Sequence, residues 1–451
     1  MFSIDGERTP GFKLALAIFV GLVLTIPLFS VWLLVYDRKT QSEEATTSIT
    51  EGWGDKQTIN GPVLVIPYRG STTETAVENG RTVTRTRDVR RELTLAPEAI
   101  ALTTDVRPEV RKRSIYEAVV YDARVAGMAR FSLPTDFAQS GVDPAQMDLS
   151  KAELRFGLSD ARGLGANPSV KANGRLLRLQ PGGGSSGGRG FFAWIDASGL
   201  GAKPLAVDFG FNFRGNQSLS LFPNAGDTAW KVHSSWSSPS FGGAFLPEGR
   251  NVSDKGFDAV YRIGNLALGS SLVSTSDAAV ALTGTSGEPQ QQIAQINLIQ
   301  PVDPYDQVNR ATKYGFLFIG FTFLALLMFD VIGGVRVSAV EYLLMGAALV
   351  LFFVLLLAFA EVIGFTPAYV VASAAIAGLN TAYSAAVLAS WHRAAFIGGL
   401  LVALYGVLYI LLSLEAFSLL IGSLLLFAAL AGVMYATRRI DWGGRRETTE
   451  A

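Results

Sequence analysis

The chain has 451 residues, 38 basic and 38 acidic side chains, a formal net charge of zero and 49% hydrophobic residues. Balanced charge argues against nucleic acid as a partner and against a long polybasic lipid-binding tail. The absence of cysteine removes disulfides, thiol chemistry and thiolate metal sites from consideration.

Residues 1–13, with Arg8 and Lys13, precede a first apolar run at 14–36. A run of about 20 apolar residues at 1.5 Å rise matches a hydrocarbon core roughly 30 Å thick. The run is too long for the h-region of a signal peptide, and Phe29-Ser30-Val31-Trp32 offers no small-residue cleavage site, so it reads as an uncleaved transmembrane anchor. Pro27 inside it predicts a kink.

Residues 37–312 form one long segment with a different pattern. In Lys151–Ser159, Ala152, Leu154, Phe156 and Leu158 alternate with polar neighbours, and Val207, Phe209, Phe211 and Phe213 do the same. Period-two alternation predicts strands with one buried and one wet face. Further strands are expected at Val63–Tyr68, Asp88–Leu95, Ile115–Ala126, Leu219–Phe222, Trp230–Trp236 and Phe257–Ile263. No amphipathic helices of comparable quality intervene, which predicts a β-sandwich-like antiparallel all-β domain with a core of its own. The glycine-rich run Pro181–Gly190 reads as a flexible hairpin loop, since no Walker lysine or dinucleotide fingerprint accompanies it.

Residues 313–437 hold five further runs, at 314–332, 341–360, 367–389, 395–413 and 417–437, joined by turns too short to hold a domain. The expected architecture is an α-helical membrane protein of six transmembrane helices, one N-terminal and five C-terminal. Residues 438–451 are a tail. Arg8, Lys13, Arg336, Arg393, Arg438, Arg439, Arg445 and Arg446 fall on one side of such a topology, and the opposite short turns carry only Glu361 and Glu415. The positive-inside rule then puts both termini in the cytoplasm and the β domain across the membrane, in the periplasm of a bacterial cell.

Catalytic and metal residues are not expected. The two histidines, His233 and His392, lie on opposite sides of this topology; a Ser-His-Asp triad on His233 would lack a Gly-x-Ser-x-Gly elbow, and a zinc site would have a single histidine. Asp330, Glu341, Glu361 and Glu415 sit near helix ends, where headgroup water solvates them. Arg310 and Lys313 enter the second span on the side of Glu361 and Glu415, which predicts at least one cross-pairing among the four at the membrane surface. The span at 367–389 is rich in small residues and carries Asn380, Thr381 and Ser384, the expected polar positions of the bundle core. Close helix approach and interhelical hydrogen bonds are the reading preferred over a conducting path.

Several segments carry a family resemblance. Pro301-Val302-Asp303-Pro304-Tyr305 with Arg310–Gly315, Ser238–Gly243 with Phe245-Leu246-Pro247, Arg113–Glu117 with Val120-Tyr121, Ile363-Gly364-Phe365, Leu404-Tyr405-Gly406 and Thr437–Trp442 together resemble the CreD family of inner-membrane, cell envelope integrity proteins. The chain departs from the family at Ala360-Glu361-Val362 and Glu415-Ala416, while keeping both glutamates. The resemblance implies one N-terminal span, a large periplasmic domain and a C-terminal bundle. It also implies a link to envelope integrity, colicin tolerance and a β-lactam-responsive regulon; no established catalytic activity comes with it, so it carries over no active site, and no cofactor is expected. The expected function is a non-enzymatic envelope protein whose periplasmic domain binds an envelope component or protein. The alternative is a permease moving a lipid or amphiphile, similar in plan to mechanotransmitting exporters, although the cytoplasmic turns leave little surface for an ATPase to grip.

Overall fold

The computed structural model describes residues 10–78, 81–134, 137–186, 189–269, 271–275, 292–298, 304–331, 337–413 and 418–438. Two compact units emerge: Met1–Glu44 with Val302–Ala451, which is helical, and Ala45–Pro301, which is mostly β.

The β unit runs through β1 (Gln57–Glu78), β2 (Arg81–Leu95), β3 (Ala99–Arg113), β4 (Tyr116–Phe131), β5 (Ala152–Leu158), β6 (Ser169–Ala172), β7 (Arg175–Leu176), β8 (Leu179–Ser186) and β9 (Arg189–Ile195). It continues with β10 (Leu205–Asn216), β11 (Ser218–Phe222), β12 (Asp227–Ser234), β13 (Pro239–Gly243), β14 (Gly249–Ser253), β15 (Gly256–Gly264), β16 (Val273–Thr275) and β17 (Ala294–Leu298), with a single helical turn, α2 (Asn265–Leu268), after β15. Among the described residues these make a nine-stranded sheet, ordered β13-β17-β11-β1-β5-β9-β8 with β2 joined to β1 and β16 to β2, and an eight-stranded sheet, ordered β14-β15-β12-β3-β4-β10-β6-β7.

One core joins the two sheets. The alternating residues of β5 and β10 are all buried, as the period-two pattern requires, and their rings meet between the sheets: Phe156 lies 5.3 Å from Phe209, edge to face. Fully burying each such side chain contributes about 1.5–3 kcal/mol relative to exposure. The Tyr121 hydroxyl of β4 crosses to donate to the Ser218 carbonyl of β11 at 2.8 Å.

Two features depart from the sequence reading. The sheets are mixed rather than wholly antiparallel, because β1 pairs β11 and β3 pairs β12 in parallel. The cause is a corner: β10 hands the chain directly to β11 in the other sheet through Gln217, whose φ is 53°, so β11 arrives beside β1 without a hairpin between them. The glycine-rich run is also ladder more than loop, with Pro181 paired to Phe191 and Ser186 to Arg189. Gly190 is required there: at φ 131° a Cβ would sit 2.0 Å from the Phe156 carbonyl oxygen.

In the helical unit, α1 (Pro10–Thr50) is followed by α3 (Pro304–Lys313), α4 (Gly315–Val331), α5 (Ala339–Ile363), α6 (Phe365–Val387), α7 (Trp391–Ser413) and α8 (Ser418–Thr437). The residues Ala45–Thr50 of α1 belong to the β unit. Among the described residues, α1, α5, α6 and α7 are long and apolar enough to cross a bilayer, and α3 with α4, bent by 40°, make a fifth if counted as one span. The run expected as a sixth is the apolar helix α8. Apolar runs of this length satisfy their backbone groups only as helices in lipid, but α1 continues past the apolar run at 14–36 to Thr50, into residues read from the sequence as the start of the β-rich segment.

Candidate functional site

The small-residue helix α6 packs as its composition requires. Ala368 and Ala372 are fully buried, and so are Asn380 and Ser384 one turn apart. Ser384 Oγ lies 3.9 Å from the Met345 sulfur of α5. Thr381 returns its hydroxyl to the Ala377 carbonyl at 2.6 Å, and Gly398 of α7 approaches so closely that a Cβ there would stand 2.4 Å from Thr381 Oγ1. This is close helix contact through small residues, with Thr381 self-satisfied. The Asn380 Nδ2, the Thr322 Oγ1 of α4 and the Tyr342 hydroxyl of α5 are buried and make no hydrogen bond, so this interior holds polar atoms that packing alone does not use.

Of the four residues expected to pair at the membrane surface, Arg310 and Lys313 lie one turn apart on α3, half-buried and exposed respectively. Glu361, near the end of α5, accepts a hydrogen bond from the Tyr305 hydroxyl of α3 at 3.3 Å. Glu415 lies outside the described residues, as do Arg8, Arg336, Arg439, Arg445 and Arg446. The Tyr369 hydroxyl of α6 donates to the Tyr405 carbonyl of α7 at 2.6 Å, and the Tyr405 ring packs at a tilt against Phe352 and Phe318, with centroids 4.6 and 4.9 Å apart.

The sequence reading missed two ion pairs of the helical unit. Lys13 of α1 meets the Asp330 carboxylate at 2.6 Å and its carbonyl at 3.0 Å, with Asp330 only 3% exposed. Lys39 meets Asp306 of α3 at 2.6 Å. The signal was a basic residue just outside each end of the first apolar run and an acidic one at the ends of the second.

In the β unit the segment leaving α1 is rooted firmly. Trp53 lies between two guanidinium groups, Arg111 at 3.7 Å and Arg214 at 4.4 Å, and its indole N–H donates to the Tyr121 carbonyl at 3.2 Å. Asp160 accepts from the Asp55 and Arg162 backbone N–H groups at 3.0 Å each. The Arg162 guanidinium, then these backbone bonds, hold its carboxyl below the usual range against the opposing effect of burial. Arg113 donates to Ser48 Oγ at 2.6 Å beside an open cleft of about 590 Å³.

The outer face of the nine-stranded sheet carries a charged fork. Arg155 of β5 holds both oxygens of Glu92 at 3.0 Å and Glu153 at 2.7 Å. Burial works against its charge, but these two carboxylates outweigh it and keep the guanidinium above its ordinary pKa. Across from Glu153 stands Trp194 of β9, 54% exposed, its ring edge to face with Phe192 at 5.6 Å. His233, considered for a triad, pairs with Asp258 at 2.8 Å with both side chains exposed, while the adjacent Ser234 is buried on the opposite face.

A family model described as "Inner membrane protein CreD" matches residues 9–443. The chain belongs to the CreD family. The CreD relative of Escherichia coli strain K12, "Inner membrane protein CreD", is 32% identical over 424 residues, covering 93% of this chain and 91% of its own length. The match spans both units, so the apolar helices and the β unit are together features of a CreD family inner-membrane protein. The likeness read from the motifs around Pro304, Phe241 and Tyr405 therefore extends along nearly the whole chain.

Proposed function

We propose that this CreD family protein is a non-enzymatic inner-membrane protein supporting envelope integrity and the response to envelope stress. In this reading six helices cross the membrane, both termini are cytoplasmic, and the β unit lies in the periplasm and binds an envelope component. The observation that carries it is the pairing of a β unit with its own core, rooted through Trp53, and a polar, partly aromatic outer sheet face around Trp194 and Arg155. Arrangements of that kind recognise ligands and do not by themselves supply an acid, a base and a nucleophile in register.

Photo-crosslinking tests this in living cells, with a photoreactive residue at 194 on the outer face and at 171 on the other sheet. The expected result is adducts with periplasmic or cell-wall material from position 194. Adducts with cytosolic proteins alone would overturn the reading.

A further inference from the structure

Arg69 of β1 and Arg90 of β2 are register partners on one face of an antiparallel pair. Both are exposed, and like charges placed directly opposite each other repel. Neither makes an ion pair within 4 Å among the described residues; Asp148, bonded to Ser150 and Lys151, lies close enough to feel the Arg90 charge but does not pair with it. The two arginines stand at the root of a two-stranded ribbon: beyond the Tyr68–Met147 bridge β1 pairs with β2 alone among the described strands. Two opposed guanidiniums with no direct ion pair form a pincer for an anion.

The same face continues inward. Glu92 is two residues from Arg90, Arg155 forks between Glu92 and Glu153, and Trp194 stands opposite Glu153. Two strand spacings across and four residues along place Trp194 about 16 Å from Arg69 and, one strand further out, about 20 Å from Arg90. An exposed indole beside carboxylate and guanidinium groups is a poor centre for a protein interface, which needs a desolvated apolar surround. It suits a sugar: the ring's electron-rich face meets the sugar's polarised C–H groups, and the charged fork hydrogen-bonds its hydroxyls.

We propose that this face binds a carboxylate-bearing glycan strand of the cell wall, with a sugar ring on Trp194, hydroxyls on the Glu92–Arg155–Glu153 fork and a carboxylate between Arg69 and Arg90. The inference rests on the envelope-binding reading above and names its ligand.

Full-length protein in detergent is sedimented with purified, protein-free peptidoglycan sacculi. Thermal unfolding confirms that each variant is folded. Wild type pellets, and Trp194→Ala and the double variant Arg69→Gln/Arg90→Gln each bind about tenfold more weakly. Binding of the wild type falls with added salt, and the fall is smaller in the double variant. Lys171→Glu, an exposed change on the other sheet, leaves binding unchanged. Equal sedimentation of the wild type and both outer-face variants, or a wild type that stays in solution, overturns the inference. So does a result in which the double variant loses only binding to phosphatidylglycerol vesicles, which would make the anion a lipid headgroup. Crosslinks from position 194 to another envelope component, with no sedimentation on sacculi, would remove the glycan and leave the envelope reading intact.

Discussion

Asp330 shows what a single charge does at the end of an apolar helix. Its carboxylate is nearly buried and faces Lys13, which is 21% exposed, so removing one partner strands the other in a poor solvent. Replacing Lys13 by Met is expected to destabilise the helical unit by about 1–3 kcal/mol, below the full cost of a wholly buried pair because Lys13 keeps some water. The double variant Lys13→Met/Asp330→Leu is expected to recover most of that loss, since two apolar groups need no partner. Thermal unfolding in detergent reads both; a double variant no better than the single one would show that the pair is not the link between α1 and α4. Sequence placed Asp330 in interfacial water because a helix end has no partner in one dimension, and Lys13 lies more than three hundred positions away.

At the scale of elements, α6 and α7 meet where Gly398 faces Thr381. Gly398→Ala is expected to push the helices apart and cost about 1–2 kcal/mol, and adding Thr381→Ala is expected to return most of it, a coupling that a double-mutant cycle in detergent measures. Additive losses would mean that the contact is not shared. The small-residue composition of α6 made this close approach legible, whereas its partner glycine was one of many. The strands β5 and β10 were equally legible, because every second side chain is apolar and the chain has one inside. The long β3 was not, since alternation holds only in its first half and Pro108 and a run of charges occupy the rest. Helix α3 was absorbed into the exported segment although Tyr305, Val308, Ala311 and Thr312 already mark one buried face after Pro304. The parallel pairs depend on a corner at Gln217 whose effect is felt only in three dimensions. The burial of Asn380 and Ser384 was legible because polar side chains in an apolar run have few places to go. The Arg155 fork joins residues far apart in sequence that only the sheet register brings together.

At the scale of the whole molecule, the account depends on which side of the membrane the β unit occupies. The arginine asymmetry of the short turns supports the periplasm. Because the chain has no cysteine, one introduced thiol reports its location without background. The decisive measurement is labelling by a membrane-impermeant maleimide in cells whose outer membrane alone is permeabilised, with Lys171→Cys in the β unit and His392→Cys in the first turn of α7. The thiol at 171 is expected to react at once and the thiol at 392 only after the inner membrane is lysed; the reverse pattern would contradict the topology and everything proposed for the outer sheet face.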